Sequence, residues 1–336
     1  YFTEEHLMLR DMVREFAINE IRPFSAEIDK KSIFPEKIIK KMSALGLMGI
    51  PWDQKYSGTG MDIRALVIAI EEIGKECAST AATMMAHTSL GTAPIAIFGN
   101  ESQKNKYLPL LATGKILGAF GLTEPEAGSD AGNTQTRAIK YNDEYIINGQ
   151  KVFCTNAGKA GTIIITASIQ DNGEEKGIGA FIVESDNPGL KIGEAENKMG
   201  WKGSDTRSIY FEDMKLSKEA LLGSPKRGFK QFLQTLTGGR ITIGALSLGT
   251  AQGAYERAIK YSFEREAFSK PINKFQAISF KLSDMALKIQ ASKHLVYHAA
   301  WKKDKGMNVI KEAAMAKLIA SESAMNICTE AIQILG

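Results

Sequence analysis

The sequence predicts an α+β protein in three parts: an N-terminal helical domain over residues 1–117, a small middle β-barrel or sandwich domain over 118–225, and a four-helix-bundle-like domain of long helices over 226–336. Two observations carry that expectation. Apolar residues recur at helical spacing up to about Leu111, give way to short β-branched and aromatic runs from Gly118 to Met214, and return to helical spacing from Gly228. A length of 336 residues gives room for two or three domains and a core of enzyme size.

Each element follows from local chemistry. Thr3 before Glu4 and Glu5 reads as an N-cap with an acidic first turn, and Leu9, Met12, Val13, Phe16 and Ala17 continue at helical spacing. Pro35 suits the first turn of a second helix, Asp62 caps a third through Leu66, Ile70 and Ile73, Ser79 to Phe98 supplies a fourth, and Glu101 to Leu111 a fifth. The clearest strand signals are Glu144 to Ile147, Thr162 to Ile169, Ile178 to Val183 and Arg207 to Phe211, with Asn148-Gly149 as a tight-turn signal. Three helical segments follow, near Phe229 to Ala267, Phe275 to Trp301 and Val309 to Leu335; the last two, each about 40 Å long, imply antiparallel packing. On the last, Ala313, Ala316, Ala320, Ser323, Ala324, Ile327 and Ala331 form a narrow small-residue face, which we expect to include a subunit interface.

Composition narrows the function classes. Net charge is +4 with lysines scattered among glutamates, which argues against nucleic acid as the main partner. No apolar run reaches the roughly 18 residues of a membrane span. Cys77, Cys154 and Cys328 form no Cys-x-x-Cys pair and suit a reducing compartment. The first residue is Tyr1, so the sequence leaves open a removed targeting segment, although residues 1–20 show no signal-peptide pattern. Dinucleotide, P-loop and zinc-protease fingerprints are missing, and the four histidines, His6, His87, His294 and His298, show no metal or triad spacing.

The most informative stretch is Gly121-Leu-Thr-Glu-Pro-Glu-Ala-Gly-Ser-Asp130, which collects hydroxyls, carboxylates and glycines in one loop. Free backbone N–H groups, two hydroxyls and close access to the main chain make it a binding surface for a polar, phosphorylated or aromatic cofactor. The competing reading is a plain connection in which Ser129 or Asp130 caps a helix.

That run, together with Phe153-Cys-Thr-Asn156, Lys198-Met-Gly-Trp-Lys-Gly-Ser-Asp-Thr206, Gly238-Gly-Arg240 and Arg265-Glu-Ala-Phe268, resembles the acyl-CoA dehydrogenase family, in register over essentially the whole chain. Gln333-Ile-Leu-Gly336 resembles the first part of the family's second signature, and the resemblance implies that the last helix and a loop carrying the catalytic Glu lie beyond Gly336.

The resemblance implies FAD as cofactor. Leu122 and Thr123 would serve the flavin pyrimidine edge, Thr155 would approach N5, and Phe120 and Phe153 would pack in the flavin site. Cys154, usually a branched aliphatic in the family, would be a small buried hydrophobe. Arg265 would meet the pyrophosphate, with Phe268 completing its motif, although without the motif it reads as a surface arginine pairing with Glu264 or Glu266. Gln276, Gln333 and Gly336 would hold the adenosine end, reaching the flavin of a neighbouring subunit. Ser269 stands where the family usually has Gly. For the CoA portion the resemblance offers Ser129, which joins both sets, Arg240, and Thr237 in place of a common Asp; no metal is implied.

Some members place the catalytic Glu immediately before the Arg of Gly238-Gly-Arg240, but here that position is Gly239, so the catalytic residue is unknown from this stretch. Glu124 and Glu126 lie in the loop without a family role as base. The implied activity is FAD-dependent dehydrogenation of a short- or medium-chain acyl-CoA to the trans-2-enoyl-CoA. Electrons would pass to an electron-transferring flavoprotein, and the enzyme would be a dimer of dimers in a bacterial cytoplasm or a mitochondrial matrix. The alternatives are a relative acting on another substrate or with oxygen, and a non-catalytic flavin or acyl-CoA binding protein. Acyl-chain length is expected to depend on Met84, Met85, His87 and Leu90.

Overall fold

The computed structural model describes residues 2–336. Helices α1 (Glu4–Phe16), α2 (Arg22–Lys31), α3 (Glu36–Ala44), α4 (Ile63–Glu76), α5 (Ala78–Met85), α6 (Ala93–Phe98) and α7 (Glu101–Ala112) come first. Strands β1 (Leu117–Gly121), β2 (Arg137–Tyr141), β3 (Glu144–Thr155), β4 (Ala160–Asp171), β5 (Glu174–Glu184), β6 (Leu190–Ala195) and β7 (Thr206–Ser217) follow. Then come α8 (Gly228–Glu264), a hairpin of β8 (Glu266–Ala267) and β9 (Lys270–Pro271), α9 (Gln276–Asp304) and α10 (Ile310–Leu335). The helical, β, helical order is that of the sequence pattern. By packing, the chain divides into two compact units, one of Tyr1–Ala26, Asp62–Ala82 and Arg240–Gly336, the other of Glu27–Met61 and Thr83–Gly239.

The first unit is helical. His6 joins two helix starts: its Nδ1 accepts the Thr3 N–H at 3.1 Å, while its Nε2 lies 2.8 Å from the Asp62 carboxylate, which also caps α4 through the Ala65 N–H. The small-residue face of α10 belongs inside this unit. Ala313, Ala316, Ala320, Ala324, Ile327 and Ala331 are buried in the chain itself, with α10 against α9, because small side chains let two long backbones come close. The expectation of a subunit interface on that face is therefore corrected; the opposite face carries exposed Met315, Leu318, Met325 and Ile332.

The second unit is built on a seven-stranded mixed sheet in the order β1-β4-β2-β3-β7-β6, with β5 on β4. Strand β4 explains the packing. It pairs in parallel with β1 and β2 and antiparallel with β5, and alternation sends Ile163, Ile165, Ala167 and Ile169 into the β core with Ile147, Phe181, Ile209 and Phe211. Ile164 on its other face joins Ile95, Leu108, Leu111, Ile182 and Phe232. A strand buried on both faces carries no charged residue from Thr162 to Ile169, and its Thr162, Thr166 and Ser168 are buried along with the isoleucines.

Two local expectations change. Asn148-Gly149 is not a hairpin turn but lies inside β3, where the pairing with β7 shifts register opposite an extra β7 residue near Asp213; Gly149 takes φ +144 and its missing Cβ leaves room for Thr136. The tight turns are Asn142-Asp143 between β2 and β3 and Asn172-Gly173 between β4 and β5. The fourth predicted helix, Ser79 to Phe98, contains a π-helical stretch at Ala86–Thr92, a feature that periodicity does not reveal.

Candidate active site

Strand β1 and the π-helical stretch meet backbone to backbone. A Cβ on Gly91 would lie 2.4 Å from the Gly118 carbonyl carbon, so only hydrogen fits there. The contact is tied by His87, which is fully buried: its Nδ1 accepts the Gly118 N–H at 2.9 Å and its Nε2 lies 3.1 Å from the Leu111 carbonyl. That arrangement requires the neutral Nε2–H tautomer, and burial pushes His87 down to about 4.

Beyond this contact lies a cavity of about 140 Å³ lined by Ala86, Leu90, Phe120, Leu122, Thr123, Val152, Phe153, Thr155 and Leu236. Five of the residues expected at the flavin thus converge. Phe120 is stacked on Phe232 at 4.1 Å between ring centroids. Phe153 is held at φ +58 and is 66% exposed, while Cys154 is turned into the β core, where burial raises its thiol to about 12. The N–H groups of Leu122 and Thr123 and the Thr123 hydroxyl make no hydrogen bond among the described residues, so the donors a flavin edge needs are unspent. The residues present therefore fit the cofactor that the resemblance implies. Of the four side chains expected to set acyl depth, only Leu90 lines this cavity; Met84, Met85 and His87 are turned into the protein core.

The loop that opens the site is fixed from beneath by a pair that the sequence reading did not assemble. Glu124 and Lys151 are both buried, with Nζ 2.6 Å from Oε1. The Glu124 carboxylate also accepts the Thr134 hydroxyl and the N–H groups of Gln135 at 2.6 Å and Thr136 at 3.2 Å. Lys151 further donates to the Leu122 carbonyl at 3.3 Å and to the Thr134 and Thr166 hydroxyls at 3.1 Å each. Burial alone would raise Glu124, but the ammonium and these donors hold it at about 2, whereas burial lowers Lys151 against the attraction of its partner. A lysine on the inward-facing parity of β3, four and six residues after buried Ile147 and Tyr145, was the available signal.

No carboxylate lines the cavity. Glu126 is exposed, and the Gly239 position has little room, since a Cβ there would meet Leu90 Cδ2 at 3.0 Å. Ser129 is exposed at the tip of the loop, and no helix begins after it, which removes the helix-capping reading. Thr237 donates its hydroxyl to the Leu233 carbonyl at 3.0 Å, and Arg240 is half-buried one helical turn after Leu236 on α8.

Motif residues 198–206 back the aromatic segment. The Asn156 N–H donates to the Asp205 carbonyl at 2.8 Å, and Asp205 accepts the Gly158 N–H at 2.7 Å and Arg207 Nε at 2.7 Å. Trp201 is held at φ +50 and partly exposed.

The other expected residues lie in the helical unit. Arg265 immediately follows α8 and is exposed; Phe268, 90% exposed, and Ser269 form the two-residue turn of the β8–β9 hairpin at φ +51 and +59. Both values are those of a type I′ turn, which explains why Gly suits the second position. Gln276 is the first residue of α9. Lys281 pairs with Glu330, and Lys288 Nζ lies 2.5 Å from Asn326 Oδ1, so the start of α9 runs beside the end of α10, which carries exposed Gln333 and Gly336.

Comparison with known proteins agrees with this architecture. Models of the acyl-CoA dehydrogenase N-terminal, middle and C-terminal domains match residues 3–115, 119–214 and 226–336. The chain is 50% identical over 335 residues to a probable acyl-CoA dehydrogenase, YngJ, of Bacillus subtilis, covering 99% of this chain and 88% of that one. It superposes with TM-score 0.97 on butyryl-CoA dehydrogenase from Megasphaera elsdenii at 42% identity, covering 100% of this chain and 89% of the other. It also superposes with TM-score 0.97 on a chain from a study of the electron transferring flavoprotein of Acidaminococcus fermentans, at 45% identity, covering 100% and 88%. With three domain models matched in order and half its residues shared with a full-length relative, the chain belongs to the acyl-CoA dehydrogenase family, FAD-dependent oxidoreductases acting on CH–CH groups.

Proposed function

We propose that this chain oxidises the Cα–Cβ bond of a short- or medium-chain acyl-CoA to the trans-2-enoyl-CoA and passes the electrons to an electron-transferring flavoprotein. The convergence of Phe120, Leu122, Thr123, Phe153 and Thr155 on one cavity with unspent donors carries the reading. The similarity to butyryl-CoA dehydrogenase supports a short chain, and the relative studied with an electron transferring flavoprotein supports the acceptor.

FAD supplies the hydride acceptor. Leu122 and Thr123 would offer N–H and hydroxyl donors to its pyrimidine edge, Phe153 would present a ring face, and the Leu90 and Leu236 side chains would help keep water from the cavity. Ser129, Thr237 and Arg240 are the residues we assign to CoA. To the pyrophosphate we assign Arg265, which has no ion pair among the described residues. Gln276, Gln333 and Gly336 sit at one end of the α9–α10 pair, where a neighbouring subunit's cofactor would complete them; we propose a dimer of dimers.

Anaerobic addition of butyryl-CoA to the FAD-loaded protein tests this. The flavin should bleach and be reoxidised rapidly by electron-transferring flavoprotein and slowly by oxygen. Fast reoxidation by oxygen would favour an oxidase, and no bleaching with any straight-chain acyl-CoA would overturn the dehydrogenase assignment.

A further inference from the structure

We infer that the buried Glu124–Lys151 pair is a positioning latch that holds the two walls of the flavin cavity in register, so that cofactor retention depends on two residues that do not line the cavity. The inference rests on the assignment of Leu122 and Thr123 to the flavin.

One wall of the cavity is Leu122–Thr123 and the other is Val152, Phe153 and Thr155. Only one backbone hydrogen bond among the described residues joins them directly, from the Val152 N–H to the Thr123 carbonyl at 2.8 Å. Lys151 adds the other tie. It stands immediately before the second wall and reaches under the first, to the Leu122 carbonyl and the Glu124 carboxylate. Glu124 then closes the excursion of the loop: its carboxylate binds the far limb at Thr134, Gln135 and Thr136, while the Glu124–Ala127 bridge fixes the near limb. Residues 125, 126 and 128–130 are exposed beyond that clasp and, among the described residues, have no other anchor of comparable burial.

A stability role alone gives no reason for charge here. A buried ion pair can generally be replaced by apolar residues of similar volume at little cost or with a gain, because desolvation offsets the attraction. What an apolar pair cannot do is bind a carbonyl, a carboxylate and three loop donors in fixed directions.

The test uses the holoprotein. In the double variant Glu124→Gln/Lys151→Met, no charge is left buried; thermal stability should stay close to wild type, while FAD release on dilution, followed by flavin fluorescence, should accelerate roughly tenfold or more. Proteolytic cleavage within 125–130 should accelerate alongside. Wild-type release and cleavage in a folded double variant would overturn the latch. If the double variant does not fold, Thr134→Val, which removes a hydroxyl bonded to both partners, should give a smaller acceleration of both readouts, and no acceleration would overturn it equally. Thr123→Ala separates the underlying assignment: unchanged FAD release in that variant refutes the flavin contact, whereas loop cleavage still judges the latch.

Discussion

Acid should weaken this fold through one side chain that touches no charged group. His87 is fully buried between the Gly118 N–H and the Leu111 carbonyl, and burial takes it from the ordinary 6.5 to about 4. The unfolded chain therefore binds this proton more tightly than the folded one. Its contribution to stability is complete above about pH 6.5 and is lost as pH falls toward 4. A shift of that size is worth about 3 kcal/mol in full, of which about 2 kcal/mol falls between pH 7 and pH 5. His87→Asn keeps an acceptor near the Gly118 N–H and does not titrate. It should be less stable at pH 7 by about 2–3 kcal/mol through the lost Leu111 partner and the space left behind. It should, however, lose about 2 kcal/mol less than wild type on going from pH 7 to pH 5. Urea unfolding of both proteins at the two pH values measures this, and other titrating groups cancel in the difference. Parallel losses in the two proteins would show that His87 protonates freely in the folded state and would refute the reasoning.

Two further substitutions probe the scaffold. Gly91→Ala places a Cβ 2.4 Å from a backbone carbon, which no rotamer change relieves; we expect a loss near the upper end of overpacking costs, about 3 kcal/mol, seen as a lowered thermal midpoint, and an unchanged midpoint would mean that β1 moves away freely. Ser269→Gly removes a left-handed serine from the β8–β9 turn and should raise stability by about 0.5–1 kcal/mol in urea titration, the relief of αL strain being partly offset by unfolded-state entropy; a decrease would mean that the serine has a stabilising partner.

The sequence makes the long elements legible because they repeat one signal many times. Helices α8, α9 and α10 begin and end within about three residues of their periodic segments, and β4 announces itself by the β-branched stretch Thr162 to Ile169 with no charged residue. Short or strained features escape for a physical reason: they depend on partners distant in the chain. Asn148-Gly149 has the composition of a turn, but pairing of β3 with β7 on both sides keeps it inside the strand, at a register shift. The small face of α10 specifies close contact without saying with what, and here it is buried within the same chain, with Ala316 beside Gly244 of α8. At the site, the resemblance supplied Leu122, Thr123, Phe153 and Thr155, whereas Glu124 and Lys151, 27 residues apart, became a pair only when β3 was laid beside the loop.

Phe153, Trp201 and Phe268 share a property that speaks to selection from a single sequence. Each is a bulky residue in the left-handed backbone region, at φ +58, +50 and +51, where glycine or asparagine would relieve on the order of 1–2 kcal/mol. Each ring is also partly or largely exposed, so burial does not compensate for the strain within this chain. Nothing inside the chain repays such an aromatic, so its cost is offset only by contacts outside the polypeptide, and one of the three, Phe153, already borders the cavity.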